Sequence, residues 1–246
     1  MKLITLGCSW TFGIGCGYER GENIKQYKAH CTSEENANKY SFRALLSERH
    51  GYINHNLSRG GSSNQMQFRK ATKYFTERPQ EKTIVLWGIT STARNEVFLA
   101  KHHILKNIAY NTMYRKVNAV EYAENFYNHE HEVKILAQRM LHWNLFFESL
   151  GIENYWFDTF NTHKYPYEIP RLLPVDLLTR MTVEDQTYHE STWQPINEIT
   201  GETKKTTERR IQLGVIKSLL NPHSKHPTKK GHAMIADIFD KCLNLS

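Results

Sequence analysis

No stretch of the chain approaches the roughly 18 to 20 uncharged apolar residues that a membrane-spanning helix requires. The opening MKLITLGCSW holds too short an apolar run for the core of a signal peptide. No membrane span and a cytoplasmic location are therefore expected. Cysteine is scarce, and Cys8, Cys16, Cys31 and Cys242 show no C-x-x-C spacing. That argues against a disulfide framework or a thiolate metal site and fits a reducing compartment. Only 13 glycines and 7 prolines occur, with no internal repeat or low-complexity tract, so the composition is not that of a disordered chain. Cofactor signatures are missing as well. GIGCG at Gly13 to Gly17 fits neither G-x-G-x-x-G nor a P-loop, whose lysine is absent. The histidine pairs His102-His103, His129/His131 and His223/His226 lack the H-E-x-x-H pattern and a thiol pair. No cofactor and no metal are expected.

What the chain does have is 246 residues, 39% hydrophobic and 12% aromatic. That is enough for one α/β domain over 1–246 with insertions at about 95–128 and 159–222. Lysine and arginine number 32 against 25 acidic residues, a net charge of +7. The basic stretches, Lys204-Lys205 with Arg209-Arg210 and Lys225 with Lys229-Lys230, are short and interrupted. A solvated basic face is expected, not a nucleic-acid footprint.

Strand and helix signals alternate through the first half. Lys2 to Leu6 is a short apolar run stopped by Gly7, and Phe42, Leu45, Leu46 and Arg49 then recur at helical spacing ahead of Gly51. Tyr52 to Asn56 alternates like a strand. Phe68, Ala71 and Phe75 mark a helix face that Ser62 or Ser63 caps and Pro79 ends. The continuous apolar run Thr83 to Trp87 predicts a strand buried on both faces of a parallel sheet. Asn95 to Asn128 has weak periodicity and is read as an inserted helical piece. Val133, Leu136, Met140, Trp143, Phe147 and Leu150 predict a long helix closed by Gly151, and Asn154 to Phe157 a fourth strand ending at Asp158. Thr159 to Pro222 is irregular, so it is expected to hold short helices or a lid. A last helix carries Ile235, Ala236, Phe239 and Cys242 on one face.

Three loops, LGCSWTFG, NLSRGG and LWGITSTARNE, follow the first three strands. In an open parallel sheet the carboxyl ends of the strands form the ligand edge. Ser9, directly after a strand, has the exposed hydroxyl and free backbone N–H that a nucleophile and oxyanion donor require. His226, ahead of Pro227 and a helix start, is the candidate base. Arg94 either contacts an anionic substrate or pairs with Glu96, and the pair is the expectation. His232 is expected to pack beside its helix, and the side chain of Cys8 to point away from the crevice.

Together these residues resemble the blocks of the SGNH (GDSL-like) hydrolases. Gly7-Cys8-Ser9 is similar to the first block, Asn56 through Gly61 to the second, Gly88-Ile89-Thr90 to the third, and His223 through His226 with Pro227 to the last. The resemblance implies a flavodoxin-like three-layer α/β/α sandwich with a central parallel sheet. It implies Ser9 as nucleophile, His226 as base, and an oxyanion hole of Ser9, Gly61 and Thr90. Cys8 stands where the family has Asp, Thr90 where it has Asn, and His223 where it has the acid. Asp158 and Asp185, or Glu184, are unranked candidates for that acid. The activity implied is serine-dependent ester hydrolysis of a small-molecule or glycan ester, with carbohydrate O-acetyl esters one class, and a decline below about pH 6.5 as His226 protonates. Trp156, Tyr165, Tyr167 and Trp193 suit sugar stacking, with core or lid packing the commoner role for such residues. The alternative is a weakened or inactive member acting as a glycan-binding or virion structural module. GCSWTFG and GITSTAR resemble divergent members encoded by bacteriophages, which would imply a virion-associated location.

Overall fold

A computed structural model of the chain describes residues 1–19, 21–77, 82–99, 104–109, 127–160, 163–177, 181, 219–221, 224 and 226–244. Strand β1 (Lys2–Leu6) leads through Gly7 into the short helix α1 (Ser9–Phe12), which Gly13 closes at φ 105°. The polar stretch that follows forms two short helices, α2 (Ile24–His30) and α3 (Glu34–Tyr40). Asn23 caps the first with a full capping box and the Ser33 hydroxyl caps the second. Helix α4 (Phe42–His50) ends at Gly51, whose φ of 64° is the left-handed conformation its position requires.

Next come β2 (Ile53–Asn56) and α5 (Asn64–Glu77), with the Ser63 hydroxyl accepting the Met66 N–H at 3.2 Å. Ser63, not Ser62, is thus the cap. Strand β3 (Thr83–Ile89) is buried along its whole length. The segment after it departs from expectation. Instead of a helix, the described residues form an antiparallel pair, β4 (Arg94–Leu99) and β5 (Ile104–Ala109), in the register Arg94 to Ala109. A segment without a 3.6-residue apolar stripe has little to bury as a helix, and pairing two strands satisfies its backbone instead. Helix α6 (His129–Ser149) follows, capped by the Asn128 side chain, with Glu130 and Glu132 at its positive end.

Strand β6 (Glu153–Asp158) is the expected fourth strand of the main sheet. The irregular segment after it supplies a fifth, β7 (Leu172–Asp176), despite Pro174. Proline is tolerated there because β7 is an edge strand with no further ladder to donate to. Helix α7 (Lys229–Leu243) ends the described chain.

The main sheet is five-stranded and parallel, in the order β2-β1-β3-β6-β7. Its chain order reverses between β1 and β3, which makes that gap the switch point of a doubly wound sheet. Side chains alternate with period two to build two cores. Leu3, Ile84, Leu86 and Phe157 face α4 and α7 through Phe42, Leu46, Ile235 and Phe239. Ile4, Leu6, Val85, Trp87 and Trp156 face α5 and α6 through Phe68, Phe75, Met140 and Phe147. Trp156 is therefore core and no sugar platform. Among the described residues no helix is long and apolar enough to cross a membrane.

One polar group is set inside the second core. Buried Asn144 on α6 accepts from Asn154 Nδ2 at 2.6 Å and Trp156 Nε1 at 2.8 Å, and donates to the Pro170 carbonyl at 3.3 Å. Asn144→Ala strips the acceptor from two buried donors. At about 1–3 kcal/mol for each group left unpaired, it should lower the unfolding free energy by about 2–5 kcal/mol. Urea denaturation measures this, and an unchanged midpoint would show that α6 is not tied to β6 in this way.

Candidate active site

The carboxyl ends of β1, β2 and β3 bring the first three predicted loops together. The Gly7 carbonyl accepts the Arg59 N–H at 3.2 Å and the Ser62 hydroxyl at 2.8 Å, and the Gly7 N–H donates to Gln67 Oε1 at 3.2 Å. A side chain at Gly60 would strike Ile14, so the Gly60-Gly61 turn lies directly on the loop after α1. Gly61 has φ 70° and stands exposed. Among the described residues, neither its N–H nor that of Ser9 donates to a backbone acceptor. Ser9 is buried, where its place after a strand predicts exposure, and its carbonyl accepts the N–H groups of Gly13 and Ile14. Cys8 is wholly buried in the core facing α4 and α7, as its place one residue before an edge serine predicts.

His226 reaches the same edge from the far end of the chain. Its loop is closed by a bridge between Leu220 and Pro227, by the Asn221 N–H on the His226 carbonyl at 2.7 Å, and by the Thr228 N–H on the Leu219 carbonyl at 2.8 Å. The Tyr27 and Ser224 hydroxyls, 2.8 Å apart, hold the loop to α2. Gly15 makes room for it, since a Cβ there would lie 2.7 Å from the His226 Cβ and 2.6 Å from the Pro227 carbonyl oxygen. Ser9 and His226 thus share one edge, yet among the described residues no hydrogen bond joins the Ser9 hydroxyl to the ring. The buried Nδ1 of His226 has no hydrogen-bond partner. Burial, aided by the Arg94 guanidinium and opposed by the Ser224 backbone, pulls the imidazole down to about 4. Neutral His226 is the form present near neutrality.

Of the candidate acids, Asp158 alone lies among the described residues. Asp158 ends β6 at the correct edge, but its carboxyl is occupied by the His163 N–H at 3.1 Å and the Tyr165 hydroxyl at 2.8 Å. Burial, reinforced by Asp176, raises it to about 7 against those two hydrogen bonds. Tyr165 is thus a partner of Asp158 and no free stacking platform. No carboxylate among the described residues bears on His226. Asp185, Glu184, His223 and Trp193 lie outside the described residues.

Thr90 is buried, and Asn64 clamps its backbone. The Thr90 N–H donates to Asn64 Oδ1 at 3.0 Å, and Asn64 Nδ2 donates to the Thr90 carbonyl at 2.9 Å. The Thr90 hydroxyl accepts from Arg94 at 3.3 Å. Glu96 instead pairs with Arg69, at 2.7 and 3.1 Å, which corrects the expected Arg94–Glu96 pair. Beyond Thr90, His129 Nδ1 lies 3.1 Å from both the Thr92 and Tyr127 hydroxyls, and its ring is 6.1 Å from that of His163.

Asn64 was legible and missed. It occupies the same face of α5 as Phe68, Ala71 and Phe75, so a polar residue there signals a buried partner. Thr92 and His163 had no such signal. His232 is fully buried, accepts the Phe42 N–H at 3.3 Å and stacks on the Phe42 ring, the packing role expected of it. Among the described residues no three His, Cys, Asp or Glu side chains gather as a metal would require. Compared with protein-family models, curated proteins and solved structures, the chain matches none.

Burial also pulls His163 down to about 4 and His232 to about 3. The unfolded chain binds protons at these three histidines before the folded one does, so their contribution to stability is complete above about pH 6.5 and is lost as pH falls toward 4. Asp158 acts oppositely. Its raised value means the folded state holds a proton that the unfolded state has released, so its contribution declines as pH rises from about 4 to about 7. Unfolding free energy should therefore climb between pH 4 and 6.5, and Asp158→Asn should make that climb steeper. Denaturant titrations across this range measure both slopes, and a shallower climb in the variant contradicts the assignment.

Proposed function

We propose that the chain is a serine-dependent ester hydrolase of the SGNH/GDSL type on a flavodoxin-like three-layer sandwich, with carbohydrate O-acetyl esters as its substrate class. The observation that carries this is convergence. Segments far apart in the chain, Gly7 to Gly15 and residues 226–228, pack together at the switch point, and the turns holding Gly61 and Thr90 flank them.

In this mechanism the Ser9 hydroxyl turns onto a His226 nitrogen as substrate enters, since catalytic hydrogen bonds often tighten only in the complex. Ser9 Oγ attacks the ester carbonyl carbon while His226 takes its proton. The oxyanion is held by the N–H groups of Ser9 and Gly61, with the Thr90 hydroxyl beside them. Collapse expels the alcohol, which recovers the proton from His226. Water then repeats the sequence on the acyl-enzyme and releases the acid.

A second function is favoured by one observation: among the described residues a guanidinium, and no carboxylate, bears on His226. A glycan-binding or virion structural role uses the same crevice without turnover.

Hydrolysis of 4-nitrophenyl acetate separates the two. Ser9→Ala should reduce it by about 10³-fold or more with an unchanged thermal midpoint. A serine-directed fluorophosphonate should label Ser9 in the parent. No adduct, or full activity in the variant, leaves the binding role. The acid limb of kcat/KM should fall near pH 4, following the free-enzyme base.

A further inference from the structure

Among the described residues Arg94 is a cation without a carboxylate. Glu96, two residues on, is held by Arg69, and among the described residues no acidic side chain reaches the Arg94 guanidinium. Among the described residues its one hydrogen bond goes to the neutral Thr90 hydroxyl at 3.3 Å, and it lies 4.9 Å from the centroid of the Phe160 ring. Phe160 in turn meets Trp10, the residue after Ser9, edge-on at 5.7 Å. The guanidinium is therefore positioned from two sides, by Thr90 directly after β3 and by an aromatic contact running back to α1. It is half-buried, so it has already lost part of its water. Most of its five N–H donors remain unspent, and a planar fork of that kind matches an oxyanion.

Its charge also bears on His226, whose Nδ1 is buried without a partner. In a Ser-His-Asp site a carboxylate stabilises the imidazolium that forms when the serine gives up its proton. Here the neighbouring charge has the opposite sign and opposes that step.

We infer that Arg94 selects an ester carrying its own oxyanion, a carboxylate or sulfate group, and that this anion, seated on the guanidinium, supplies the negative charge that His226 lacks. Calling the ligand a substrate rests on the esterase assignment, whereas the anion site does not. The net charge of +7 adds long-range attraction for such a ligand.

Two measurements test this. Sodium sulfate is titrated into the full chain at constant ionic strength, and the His226 ring resonance is followed by NMR. A saturable shift is expected, weakened by about tenfold or more in Arg94→Gln and less in Arg94→Lys, which keeps the charge but not the fork. Separately, kcat/KM is compared for 4-nitrophenyl acetate and mono-4-nitrophenyl succinate. The charged ester should be preferred by about tenfold or more, and the preference should collapse toward unity in Arg94→Gln. No saturable shift, or one that Arg94→Gln leaves intact, overturns the anion site. Arg94-dependent sulfate binding in a protein that hydrolyses neither ester keeps the site and overturns the esterase assignment. Equal turnover of both esters without sulfate binding does the reverse.

Discussion

Two positions must lack side chains for the chain to turn from β1 into α1 as it does. A Cβ on Gly88 would lie 2.7 Å from both the Thr11 hydroxyl and the Phe157 ring, and one on Gly7 would collide with the same hydroxyl. Thr11 fills the niche these glycines leave between β1 and β3. Because it does, the chain leaves β1 and turns at once into α1, placing Ser9 at the edge of the sheet. Gly7 then serves the neighbouring loop as well, since its carbonyl holds Arg59 and Ser62 and its N–H is held by Gln67. The site is therefore a property of backbone approach first and of side-chain chemistry second.

The core elements were legible because burial imposes a period on their residues. β1, β3 and β6 read as short apolar runs, and α4, α5, α6 and α7 as stripes, since each fills a sheet face with large side chains. β7 was hidden by Pro174, a strand breaker everywhere except at an edge. The β4–β5 pair was hidden because its stability comes from cross-strand partners and not from a local pattern. α2 and α3 are too short and polar for a stripe, and their capping residues are their clearest mark.

For the site, order along the chain located the loops but not the contacts between them. Ser9, Gly61, Thr90 and His226 do lie at one edge, because parallel winding leaves their loops nowhere else to go. The partner of each charged group was not legible. Arg94 and Glu96 stand two apart on one strand, where pairing looks natural, yet the Arg69 guanidinium on α5 reaches Glu96. Asp158 ends the correct strand, but the chain folds back through His163 and Tyr165 to occupy it. Such choices are decided by which side chain arrives from another element, and no spacing rule encodes them.

Arg94 is the first residue of β4, so its orientation is tied to how that strand pairs with β5. Strand side chains alternate strictly between faces, and a slip of one residue would send Arg94 to the opposite face and put neutral Asn95 in its place. Among the described residues this pair of strands joins none of the five main strands, so such a slip would leave their ladder hydrogen bonds untouched. The paired strands and the five-stranded sheet are thus carried by different segments of the chain, and the register of the pair can drift by insertion or deletion while the order of the sheet is conserved.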